Sequence, residues 1–108
     1  MDKVIKYKEI LQTEMEYQAT KTLYKAPNVQ RHLVINEDKT DFVLFSYGWK
    51  EGTYMYTVLH HLQLRGDKIW VLKNNTTVLL DDILIEEGVD RNDIEIAWAY
   101  EDTEEVIV

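Results

Sequence analysis

The chain has 108 residues, the size of one domain able to bury a core, and 45% of them are hydrophobic, as a packed domain requires. It has no cysteine, which excludes disulfides, a thiolate nucleophile and a thiolate metal site. The net charge of −8 arises in the last third, where residues 75–108 hold eleven acids and Arg91 alone; no dense basic cluster exists to neutralise phosphates, so tight autonomous binding of DNA or RNA is not expected.

The start, "MDKVIKYKEILQ", is too charged for a signal peptide, and no apolar run approaches the length of a membrane span. A soluble cytoplasmic protein with no membrane contact, folded as a single domain over residues 1–108, is the expectation. From Asp2 to about Thr22 the apolar residues Val4, Tyr7, Leu11 and Met15 recur at helical spacing, with Ile10 and Tyr17 beside them. Asp2 is placed to cap that helix, and Lys21 and Lys25 suit its negative end. Its single apolar stripe predicts that it lies on something flat.

After "KAPN" the period changes to two. In "VQRHLVIN", Val29, Arg31, Leu33 and Ile35 share one side, and Gln30, His32 and Val34 share the other. "EDKT" reads as a turn, "DFVLFSYGW" as a strand, "KEG" as a turn, "TYMYTVLHHLQL" as a long strand, "RGD" as a turn and "KIWVLKN" as a fourth strand. Short turns between strands make hairpins, so these four form an antiparallel meander covered on one face by the first helix. "TTVLLDDILIEEG" returns to helical spacing through Leu79, Leu80, Ile83 and Leu84, with Thr76 or Thr77 as cap and Gly88 as the stop. "DIEIAWAY" alternates, with Ile94, Ile96 and Trp98 facing one way, and is a candidate fifth strand. The fold class is therefore α+β: an antiparallel meander of four to five strands with an N-terminal helix and a second, shorter helix packed on it. The end, "EDTEEVIV", places three apolar residues last, and these are expected to pack on the domain or on a neighbouring subunit of a homo-oligomer.

Few residue clusters suggest chemistry. His60 and His61 are adjacent in a strand, so they point to opposite faces and cannot share a metal without a bulge; His32 is the only other histidine. Arg65-Gly66-Asp67 sits where a hairpin reverses and reads as a turn. Asp82 and Glu86 share a helix face, but like charges at that spacing read as a solvated stripe rather than a catalytic pair. The four glycines are scattered and the only serine, Ser46, lies inside an apolar strand. No catalytic residue, metal site or cofactor is expected. Tyr47 and Trp49 share one parity in their strand, as do Tyr54 and Tyr56 in the next, so the four rings are expected to form one patch. Core packing beneath the first helix is the favoured reading of that patch, with a binding surface on the open sheet face as the alternative.

The segments "MDKVIKYKEILQ", "FVLFSYGW", "HLQLRGDKIWVLKNNTT", "LLDDILIEEGVDRNDIEIAW" and "TEEVIV" together resemble the XisI-like family, the fdxN-element excision controlling factors found mainly in cyanobacteria. The resemblance runs along nearly the whole chain. It is most specific at Gly48-Trp49, then His61, then Lys68-Ile69-Trp70, and Gly88 and Asp93-Ile94 also fit. The chain departs from the family's pattern at Gln63, where an acid is usual, at Gly66-Asp67, where Asp-Gly is usual, and beyond Tyr100.

The resemblance implies a non-catalytic accessory role in excision of a DNA element, where a recombinase does the chemistry and the XisI-like protein acts with an XisH-like partner. The partner surface expected on that basis combines Tyr47, Tyr54 and Tyr56 with Glu104 and Glu105. The alternatives are a small nucleic-acid-binding regulator that stacks bases on the sheet aromatics, and a small-molecule-binding domain with a pocket between the first helix and the sheet, using His61.

Overall fold

A computed structural model describes residues 2–21 and 26–100. Helix α1 spans Lys3–Thr20; the Val4 amide donates to Asp2 Oδ1 at 2.9 Å, so the expected cap is present. Its buried stripe is Tyr7, Leu11, Glu14, Met15 and Gln18, the helical spacing read from sequence with two polar members added. The helix ends at Thr20, two residues before the expected limit, and Lys25 lies outside the described residues.

Four strands follow as a meander: β1 (Val29–Ile35), β2 (Asp41–Lys50), β3 (Thr53–Arg65) and β4 (Lys68–Asn74), each antiparallel to the next. The turns explain the pairing. Glu51 and Gly52 both have positive φ, 51° and 79°, as a type I′ hairpin demands. Gly66, at φ 62°, opens the two-residue loop between β3 and β4, so Arg65-Gly66-Asp67 is the turn expected. Asn36 Oδ1 accepts from the amides of Thr40 and Asp41 and closes the β1–β2 loop.

The second helix, α2, is shorter than its sequence pattern and spans Leu80–Glu86. Neither Thr76 nor Thr77 caps it. Leu79 occupies the cap position without a side-chain bond, and Thr76 instead braces the loop, its hydroxyl accepting from the Val78 amide. Leu80 and Leu84 are buried, whereas Leu79 faces solvent, because only the helical residues inherit the inward-facing stripe. Gly88, at φ 116°, ends the helix: its amide donates to the Ile85 carbonyl, and the amide of buried Val89 donates to that of Leu84. Strand β5 is only Ile94–Ile96 and pairs parallel with β4, which the intervening α2 permits. Trp98 is not in that strand but in a 3₁₀ turn, Ala97–Ala99, and is exposed.

The sheet order is β1-β2-β3-β4-β5. Tyr7, Leu11 and Met15 of α1, Leu80 and Leu84 of α2, and Phe42, Leu44, Leu62, Leu64, Ile69 and Val71 of the sheet form one core cluster. Both helices therefore serve one sheet face, and no described helix covers the other. No described helix is long and apolar enough to cross a membrane.

Candidate functional site

The uncovered face is set by strand parity. On β2 the core side takes Phe42, Leu44 and Ser46, which leaves Val43, Phe45, Tyr47 and Trp49 on the open side. The β2–β3 register sets Trp49 opposite Tyr54, Tyr47 opposite Tyr56 and Phe45 opposite Val58. The β1–β2 register adds His32 beside Phe45, and Val34 beside Val43. The favoured reading of the aromatics as core is thereby overturned: Trp49, Tyr54 and Tyr56 are 56%, 52% and 65% exposed. The opposite parity at this end of the hairpin carries Ser46, Gly48, Met55 and Thr57 rather than rings.

The rings do form one patch. Trp49 and Tyr54 meet edge to face at 5.4 Å between centroids, Tyr56 lies 5.8 Å from Phe45, and Tyr47 lies 6.5 Å from Tyr56. His32, Val34, Phe45, Tyr47, Tyr54 and Tyr56 line a shallow recess of about 370 Å³. Glu104 and Glu105, expected to share this surface, lie outside the described residues.

Farther along the same face is a polar file that sequence reading missed. Asp41 Oδ1 accepts from Gln63 Nε2 at 2.7 Å and lies 3.0 Å from His61 Nε2. The hydrogen bond from His61 holds the Asp41 carboxyl below the usual range. Arg65 Nε donates to Gln63 Oε1 at 2.9 Å, and its guanidinium lies 4.8 Å from the centre of the Trp70 ring. Trp70 stacks on Tyr100, whose hydroxyl donates to Glu95. Pairing "DFVLF" against "HLQL" with the correct register would have exposed this file, but a bulge hides it. One extra residue between Leu44/Phe45 and Val58/His60 shifts the alternation along β3.

The bulge also sorts the histidines. His60 is 0% exposed on the core side, with Nε2 3.0 Å from Thr76 Oγ1. Burial, then the charge of Arg31, lowers its pKa to about 4. His61 faces the open side with His32, so the pocket imagined between α1 and the sheet cannot use His61. Among the described residues, no three of His, Asp and Glu gather as metal ligands. Asp82 and Glu86 are both exposed, as a solvated stripe should be.

The remaining signature residues do structural work. At Gly48, φ is 137°, and a Cβ would stand 2.0 Å from the Asn28 carbonyl oxygen. Ile69 is fully buried in the core. Lys68 Nζ donates to the Asn92 carbonyl at 2.7 Å and lies 3.5 Å from Asp93 Oδ1. Asp93, 5% exposed, also accepts from the Tyr7 hydroxyl at 2.6 Å and meets Lys3 Nζ at 2.8 Å. Those bonds, from Lys3 first and then Tyr7, hold the Asp93 carboxyl below its ordinary range. This knot ties α1 to the segment leading into β5.

The fold matches solved structures. A XisI-like protein from Anabaena variabilis ATCC 29413 superposes with a TM-score of 0.75 at 23% identity, over 85% of this chain and 84% of that one. The fdxN element excision controlling factor XisI from the same organism superposes with a TM-score of 0.71 at 22% identity, over 92% and 89%. No curated protein matches the sequence. The model of the family described as XisI protein matches residues 1–107, so the chain belongs to the XisI family.

Proposed function

We propose that this chain is a non-catalytic accessory protein that works by holding an XisH-like protein against its open sheet face, in programmed DNA-element excision or a related system. The observation that carries the reading is the uncovered face bearing Trp49, Tyr54 and Tyr56, all more than half exposed. Half-covered rings of this size each leave on the order of 100 Å² to bury, enough for the centre of a standard interface of about 800 Å² per partner. Trp and Tyr are the residue types that dominate such centres. The acid-rich segment 75–108 favours a basic partner. The solved structure named as an excision controlling factor supports the biological setting.

The test is co-expression with an XisH-like protein followed by affinity purification. A stable pair is expected, and Trp49→Ala or Tyr56→Ala should weaken it by about 1–3 kcal/mol, roughly 5- to 150-fold. No association at micromolar concentration would remove the reading.

A second reading is a small nucleic-acid-binding regulator. It is favoured by one observation, that Trp49, Tyr54 and Tyr56 are exposed beside exposed Lys50, as a base-stacking platform requires. The net charge of −8 weighs against it. Titration with single-stranded and duplex DNA at several salt concentrations decides, since the absence of salt-dependent binding eliminates it.

A further inference from the structure

Among the described residues, strand β3 has an unpaired edge beside the aromatic recess. It runs Thr53–Arg65, but β4 pairs with it only from His60 to Arg65. The Leu59 carbonyl accepts from the Asn75 amide at 2.7 Å, and no described strand lies against residues 53–58 on that side. The two-residue loop makes Lys50–Thr53 a hydrogen-bonded pair, and the pairs then alternate. Trp49 agrees with this phase, for its amide donates to the Asn28 carbonyl at 3.2 Å, away from β3. Met55 and Thr57 thus bond to β2, and the backbone groups of Tyr54, Tyr56 and Val58 point to the free edge.

Proteins usually blunt such an edge with Lys, Pro or an inward charge. The segment "TYMYTV" has none of these, in a chain whose net charge is −8. Tyr54, Met55 and Tyr56 are all exposed. β1, the other long edge, carries Arg31 and His32.

We propose that residues 53–58 pair antiparallel with the same residues of a second copy, joining two five-stranded sheets into one of ten strands. A two-fold contact requires a surface complementary to itself. An uncharged strand meets that condition, since no like charges are brought together although each copy is strongly acidic. Only one parity offers outward groups, so the register is restricted: Tyr54 lies opposite Tyr56 of the partner subunit, or Tyr56 opposite Tyr56 of the partner subunit. A two-fold axis normal to the sheet keeps both helical layers on one side. It sets the two aromatic recesses side by side on the other and so builds a doubled interaction face.

Sedimentation equilibrium of the full chain, with no other protein present, tests this independently of any partner. The mass should rise with concentration toward twice 12.8 kDa. Tyr56→Pro removes an outward amide and none that β2 uses, so it should weaken self-association by about tenfold or more with an unchanged circular dichroism spectrum. Tyr56→Thr keeps the amide and should still pair. Should the proline variant not fold, hydrogen exchange of the unaltered chain gives the same answer, because the amides of Tyr54 and Tyr56 should slow as concentration rises. A mass that stays at 12.8 kDa up to about 100 μM, where contacts of even modest affinity associate, overturns the proposal. A dimer indifferent to Tyr56→Pro also overturns it. So does a dimer lost on deleting residues 101–108 while the edge amides exchange freely, which would give the contact to the C-terminal segment.

Discussion

Replacing Gly48 by alanine should be among the most damaging single changes in the chain. Gly48 lies at the end of the β1–β2 pairing where β1 begins, opposite Val29, at φ 137°, and its missing Cβ leaves room for the Asn28 carbonyl oxygen. An added Cβ would meet that oxygen at 2.0 Å and the Val29 Cα at 2.9 Å, both backbone atoms that no rotamer change can move. The backbone conformation itself costs an L-residue about 1–3 kcal/mol. Moving β1 away to relieve the clash would also break the bond from the Trp49 amide to the Asn28 carbonyl and at least one ladder bond, about 1 kcal/mol each. The total is about 3–5 kcal/mol, a large part of the roughly 5–15 kcal/mol that holds a domain of this size. Gly52→Ala is the internal control: φ there is 79°, but a Cβ would meet nothing within 4 Å, so only the conformational cost of about 1 kcal/mol applies. Urea denaturation of the two variants and the parent should show a midpoint loss at Gly48→Ala several times that at Gly52→Ala. Equal losses would mean that the close approach of Asn28 is not what selects glycine at this position.

His60, buried and held neutral with a pKa near 4, is charged more readily in the unfolded chain, where its value is 6.5; stability from this group is therefore lost as pH falls from about 6.5 toward 4. Compared with His60→Asn in urea titrations, the parent should lose up to about 3 kcal/mol more across that window. The comparison is needed because Glu87, raised to about 7 by its hydrogen bond with Glu14, works in the opposite direction, stabilising the fold as pH falls. Asp93→Ala should cost about 2–3 kcal/mol by chemical denaturation, since it strips the buried Tyr7 hydroxyl of its acceptor; an effect below about 0.5 kcal/mol would show that the knot with Lys3 and Lys68 is not holding α1.

Much of the architecture was legible because it is carried by period. The α1 stripe through Tyr7, Leu11 and Met15, the two-sided β1 and the Gly88 stop all follow from spacing and turn chemistry that leave few alternatives. The errors fall where a non-local partner decides. Leu79 belongs to the helical pattern in sequence, yet α2 starts one residue later, because the loop from Asn74 is fixed first by Thr76 and by the Asn74 amide group on the Val78 carbonyl. Trp98 continues the alternation of Ile94 and Ile96, but β5 ends at Ile96, and the chain turns instead. The aromatics lie on the face opposite to the one their pattern favours, for a physical reason. A ring-rich parity normally means core, and nothing local shows that both helices crowd onto the side of Phe42 and Leu44.

The signature residues divide by the work they do. Gly48 admits the Asn28 carbonyl, Ile69 fills the core, Lys68 joins the Asp93 knot, and His61 and Trp70 anchor the two ends of the polar file. Each of these is engaged by contacts within the fold itself. Trp49 is the exception. It stands at the end of the β2–β3 hairpin, more than half exposed, with its ring against Tyr54 alone among the aromatic contacts, and the backbone bond it makes to Asn28 could be made by any residue. Leaving so large an apolar ring in water is unfavourable at about 25 cal/mol per Å² of exposed apolar surface. Beyond the edge-to-face contact with Tyr54, about 0.5–1.5 kcal/mol, the fold gains little from it that a threonine in the same strand would not supply. A large ring left more than half exposed is the side chain that the proposed partner contact would bury first. That reasoning makes Trp49 the side chain on which the interaction reading rests most directly.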